Sequence, residues 1–184
     1  NLPTSINFFL KKNKIMEGIR EFEKNILTEM DFIDRYLNIE LKFIKNNSDK
    51  ILKCDKKTFM AMVDAKYQIK HEGGAYYTIT KNYNKYEFVL EIQKTSGAGL
   101  LFYIYIYMNQ ILQNVDLSPV AAALDYLPYN KAKAEKVSNT FGYNTLSEMK
   151  DYLNQMITLW EEFVEKYIEK LELGIEPPNT PYED

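Results

Sequence analysis

Cysteine is nearly absent from this sequence: Cys54 is the single copy in 184 residues. No intramolecular disulfide can form, which excludes a small disulfide-stapled scaffold and makes a reducing, cytoplasmic setting the expectation. Histidine is equally scarce. A Ser-His-Asp or Cys-His nucleophile would have to be built on His71, and a histidine-rich zinc site is excluded by count. Long apolar runs are missing too. The most apolar stretch, Leu100 to Met108, falls well short of the ~20 residues of a membrane span and is rich in tyrosine. Neither sign of charge dominates: 23 Lys and Arg stand against 26 Asp and Glu, a net charge of −3. A dedicated nucleic-acid binder needs surplus basic side chains to neutralise phosphate, so no nucleic-acid partner is expected.

The signatures of cofactor chemistry are missing as well. Thr95-Ser96-Gly97-Ala98-Gly99 is glycine-rich, but it lacks the GK[ST] ending of a phosphate-binding loop and leads into a strand. It reads as a hairpin loop. No dinucleotide fingerprint, metal constellation or cofactor box is present, and a non-enzymatic protein is the expectation. No signal peptide is visible at Asn1, although the chain does not begin with Met, so a trimmed signal or anchor stays open.

The residues that are there make an ordinary globular composition, 46% hydrophobic and 27% charged. A chain of this length suits one domain spanning 1–184 and can bury roughly two-thirds of its unfolded surface. Residues 1–13 read as an irregular lead-in. From Lys14 to Asn46, apolar residues recur at steps of three or four, through Ile15, Ile19, Phe22, Ile26, Met30, Ile33, Leu37, Leu41 and Ile44. That spacing predicts a long helix, about 48 Å if unbroken. Residues 62–108 then read as four antiparallel strands: Val63 to Ile69, Ala75 to Thr80, Tyr86 to Gln93 and Leu100 to Met108. Turns at Gly73-Gly74 and Asn82-Tyr83-Asn84 and the glycine loop join them. Helices follow over 118–173. Ser118-Pro119 opens one, Lys131 to Asn139 forms another, and Thr145 with Glu148 makes the capping box of the last. Gly174 is placed to end it, and 175–184 reads as a flexible tail. The fold class is α+β: a four-stranded antiparallel meander with long N- and C-terminal helices packed on one face.

The fourth strand sorts its side chains by chemistry. Phe102, Ile104, Ile106 and Met108 point one way; Leu101, Tyr103, Tyr105 and Tyr107 point the other. Pairing Leu90 with Phe102 gathers the aliphatics on one face. It sets Val89 opposite Tyr103 and Glu87 opposite Tyr105, with Asp64, Lys66 and Gln68 as candidate neighbours. Tyrosine offers a large area and a polar tip at low entropic cost. A surface of Tyr103, Tyr105, Tyr107, Glu87 and Glu91 therefore suits a protein partner presenting Lys or Arg. A helix lying over this face is the competing reading.

Three functions follow as expectations. The first is a non-enzymatic protein-binding or inhibitor module acting by occlusion, of the kind a bacterial immunity protein or a phage inhibitor represents. The second is a structural or assembly module that uses the long N-terminal helix, with the chain a monomer or a homodimer. The third is a small hydrolase using Glu87, Glu91 or His71.

Overall fold

The computed structural model describes residues 20–43, 53–95, 99–113 and 144–177. The expected lead-in, the helices begun at Ser118 and Lys131, and most of the tail lie outside them. The elements run α1 (Glu21–Glu29), α2 (Phe32–Lys42), α3 (Lys56–Met62), β1 (Ile69–Gly73), β2 (Tyr76–Tyr83), β3 (Tyr86–Lys94), β4 (Leu100–Met108), β5 (Ile111–Leu112) and α4 (Leu146–Glu172). The α+β class holds. The sheet, however, has five strands among the described residues, an antiparallel meander in the order β1-β2-β3-β4-β5.

The expected single N-terminal helix is two helices. Asp31 takes a left-handed φ of 49° immediately after Met30, a conformation that Asp tolerates better than most residues and that no helix continues through. Its amide donates to Thr28 O at 3.1 Å, and its carbonyl accepts from Arg35 N at 3.0 Å to start the second helix. Both segments pack against α4, and beyond the break the buried residues among the described side chains are Phe32, Tyr36, Ile39 and Phe43, none of which belongs to the expected stripe. Phe22, Ile26, Leu27 and Met30 from one side, and Tyr36, Ile39 and Phe43 from the other, enter a common core.

The strand expected at Val63 to Ile69 is, as far as residue 68, a loop that follows the short helix α3. Asp55 caps α3, its carboxylate accepting from Thr58 N at 2.8 Å, and Phe59 and Met62 turn into the core. The alternation that imitates a strand belongs to chain held by side chains. Asp64 N donates to Asn154 Oδ1 at 3.2 Å, Asn154 Nδ2 donates to Met62 O at 2.8 Å, and Lys66 N donates to Asp64 Oδ1 at 3.0 Å. Pairing begins only at Ile69.

All described helices lie on one face of the sheet. Helix α4 buries Tyr152, Met156, Trp160, Phe163 and Tyr167 against Phe88, Leu90, Ile92, Phe102, Ile104 and Ile106. Aromatic edges lock the layers: Tyr167 meets Phe88 at 5.0 Å and Phe22 at 4.8 Å, and Phe102 meets Tyr152 at 5.5 Å between ring centroids. The capping of α4 follows the sequence. Thr145 Oγ1 accepts from Glu148 N at 3.1 Å, while the Glu148 carboxylate reaches back to Asn144 N at 2.7 Å. At the other end Gly174, with φ 74°, closes a Schellman turn. Gly174 N donates to Leu171 O at 3.0 Å and Ile175 N to Lys170 O at 2.9 Å.

Candidate binding surface

Two residues separate the expected register from the observed one. Leu90 faces Ile104, Phe88 faces Ile106 and Ile92 faces Phe102. An even shift leaves every side chain on the face assigned to it, so the aliphatic criterion could not distinguish the two alignments. The loop decides. Thr95 N donates to Gly99 O at 2.9 Å, and Lys94 pairs with Leu100. The shift changes the neighbours on the second face: Glu91 lies opposite Tyr103, Val89 opposite Tyr105, and Glu87 opposite Tyr107.

No described helix covers this second face, yet its centre is not open. Tyr105 is 5% exposed, Val89 7% and Glu91 8%. Tyr103 and Tyr107 are half-buried and Glu87 is exposed. The Tyr103 and Tyr105 rings lie nearly parallel, 6.4 Å apart. Burial, reinforced by the charges of Glu87 and Glu91, pushes the Tyr107 phenol up to about 12. Toward the β1 edge the same face carries Thr78, whose hydroxyl donates to Glu72 at 2.7 Å, and Lys70, ion-paired to Glu72 at 3.0 Å. Asp64 and Lys66 do not join it. They sit on the helical side, where Lys66 pairs with Glu161 of α4 at 2.8 Å.

The residues considered for nucleophilic chemistry are engaged elsewhere. His71 Nε2 lies 3.1 Å from Gly74 O, and the ring rests 5.0 Å from that of Tyr77. Cys54 Sγ donates to Asp55 O at 3.6 Å, and burial raises its thiol against the pull of Lys94. Among the described residues no hydrogen bond joins the two, and no group of three or more His, Cys, Asp or Glu is placed to hold a metal ion.

Two features escaped the sequence. The first is a buried ion pair. Arg20 Nε donates to both Glu23 oxygens, at 3.0 and 2.9 Å, and Arg20 Nη2 reaches Tyr167 OH at 3.2 Å. Glu23 is fully buried, and burial drives the Tyr167 phenol far up. The second is an open cleft of about 500 Å³ between α2 and α4. Ile39 and Leu159 line it, together with Asn38, Lys42, Asp151 and Gln155. Arg35 also borders it, in a bidentate pair with Glu162 at 2.5 and 2.9 Å that lowers the Glu162 carboxyl.

No protein-family model, curated protein or solved structure matches this chain.

Proposed function

We propose that the protein is a non-enzymatic binding module that acts by occlusion, covering a basic surface of a partner protein with the second face of its sheet. The observation that carries this reading is the acidic, aromatic end of that face. There Glu87 is exposed directly opposite Tyr107, whose phenol is held neutral by burial first and then by the charges of Glu87 and Glu91. Neutral phenols beside carboxylates suit lysine and arginine, which gain ring-face attraction and a charged hydrogen-bond acceptor together. Glu87, Tyr103 and Tyr107 make the contact; the buried Tyr105 and Glu91 support it from beneath. A toxin-neutralising immunity protein or a phage-encoded inhibitor is the biological form such a module takes.

The test is a titration of the full chain with an oligo-arginine peptide, followed by amide chemical shifts. Shifts clustering at Glu87, Tyr103 and Tyr107, and lost in Glu87→Lys, support the reading. Perturbations confined to the helical layer, or wild-type affinity in that variant, contradict it.

The assembly reading gains nothing from the packing, since Phe22, Ile26 and Met30 of its stripe are already inside the core. For the hydrolase reading, no observation sets His71 beside Glu87 or Glu91.

A further inference from the structure

Strand β1 ends the sheet on one side. Among the described residues no strand pairs with its outer edge, which leaves alternate backbone groups without a ladder partner. The neighbouring ladder fixes which groups face out. Lys94 N donates to Ala75 O at 2.9 Å. Tyr76 and Gln93 are therefore a pair without direct bonds between β2 and β3, and the next pair, Tyr77 and Ile92, is directly bonded. Tyr77 turns its N–H and C=O toward β3. His71, which pairs with Tyr77 from the other side, must then turn its own away from β2, to the outer edge. Ile69, two residues earlier, does the same. The side chains add a charge pattern to that edge. Lys70 and Glu72 both lie on the second face of the sheet, ion-paired at 3.0 Å. Glu72 is held there as the extra residue of a bulge between His71 and Gly73, and it also accepts from the Thr78 hydroxyl at 2.7 Å.

We infer that β1 is a dimer edge: a second copy of this chain adds its own β1 antiparallel, His71 against His71, and joins the two sheets into one. Charge chooses both the occupant and the register. Centred on His71, each Lys70 lies opposite the Glu72 of the second copy, so the four charges alternate and each gains a second neighbour of opposite sign. Centred on Lys70 the lysines would face each other, and centred on Glu72 the glutamates would. The backbone agrees with the favoured register. His71 against His71 brings together two residues whose N–H and C=O both face outward, the condition for a directly bonded antiparallel pair. A foreign strand would have to carry the same Lys-x-Glu pattern; this chain already carries it, as a self-complementary two-fold contact requires. The axis stands normal to the sheet, so both helical layers fall on one side and the two tyrosine and glutamate faces adjoin on the other. Glu87 and Tyr107 lie on β3 and β4, away from this edge, so dimerisation does not depend on what they bind.

Light scattering and sedimentation of the full chain over a concentration series test this, with hydrogen exchange read at the Ile69 and His71 amides. The weight-average mass rises toward twice that of one chain, and exchange at both amides slows as it does. Lys70→Glu alone and Glu72→Lys alone each weaken the dimer about tenfold or more, because like charges then face each other in both halves of the contact. An equimolar mixture of the two variants recovers a mixed dimer, since each strand supplies the charge that the other lacks. His71→Pro removes the central outward N–H, a change that an edge strand tolerates, and leaves a monomer; should it fold poorly, the two charge variants decide alone. A monomer at every concentration overturns the inference. So does a dimer that the charge variants leave unchanged, or one that their mixture fails to restore. Slow exchange at Ile69 and His71 in a strictly monomeric sample means that another part of the chain occupies the edge, and overturns it as well.

Discussion

Glu23 is fully buried and is held by Arg20 and by the Tyr167 hydroxyl. Removing one partner of such a pair strands a charge in a low-dielectric interior, which costs about 3–5 kcal/mol, whereas replacing both by apolar groups is often close to neutral. Glu23→Ala should therefore destabilise strongly in urea melts. Arg20→Met with Glu23→Leu should recover most of that loss; a double variant as weak as the single one contradicts the pairing. Tyr107 offers a second test at this scale. Its phenol is pushed up to about 12 by burial and by Glu87 and Glu91, against about 10 in the unfolded chain. Below pH 10 both states keep the proton and the group adds no pH dependence. Between about 10 and 12 the unfolded state releases it first, so stability falls as pH rises. The difference in phenolate absorbance between wild type and Tyr107→Phe should have its midpoint near 12; a midpoint near 10 contradicts the burial. The face occupied by Tyr103, Tyr105 and Tyr107 could be read from alternation alone, because β-strand parity is fixed by covalent geometry. Their burial could not, because it depends on what lies across the sheet. Arg20 and Glu23 look like surface charges on any helical pattern, and only the tertiary position of Tyr167 shows that they are interior.

Elements were legible where their ends carry chemistry. Thr145 and Glu148 announce the start of α4, and Gly174 its stop, since capping needs a hydroxyl or a left-handed residue at a set offset. Thr145→Ala should cost about 1 kcal/mol, read as a lowered melting temperature with the circular dichroism spectrum of the folded state retained. Gly174→Ala, forced into the φ of 74°, should cost about 1–2 kcal/mol. Elements whose limits depend on tertiary partners were misread. Val63 to Ile69 alternates like a strand, but Asn154 on α4 supplies the hydrogen bonds that a sheet neighbour would have given. The break at Asp31 was missed because apolar residues at steps of three and four run straight through it in the sequence, whereas the core beyond it takes Phe32, Tyr36, Ile39 and Phe43, outside that series. The β3–β4 register slipped by two residues because faces repeat every two, and only the span of the loop separates such alignments. β5, two residues long, is too short to produce any pattern.

For the whole molecule, the order of helices, meander and final helix was legible from the changes of period along the chain. So was the gathering of the aliphatic residues on one face, because burying them together is the largest favourable term in folding. The described helices lie on one side of the sheet, and on the other Glu87 is exposed and Tyr103 and Tyr107 are half-buried around the closed centre at Val89, Glu91 and Tyr105. What that side meets lies outside the chain's own chemistry, and composition alone leaves it open. The most direct measurement places a photoreactive amino acid at Thr80, exposed on the second face beside Val89, and separately at Thr158, exposed on α4. Both forms are irradiated in native lysate, with and without Glu87→Lys. Partner binding through the tyrosine and glutamate face predicts one adduct from position 80 that disappears with Glu87→Lys, and none of that mass from position 158. An adduct from position 158 alone, or one from position 80 that Glu87→Lys leaves unchanged, would contradict it.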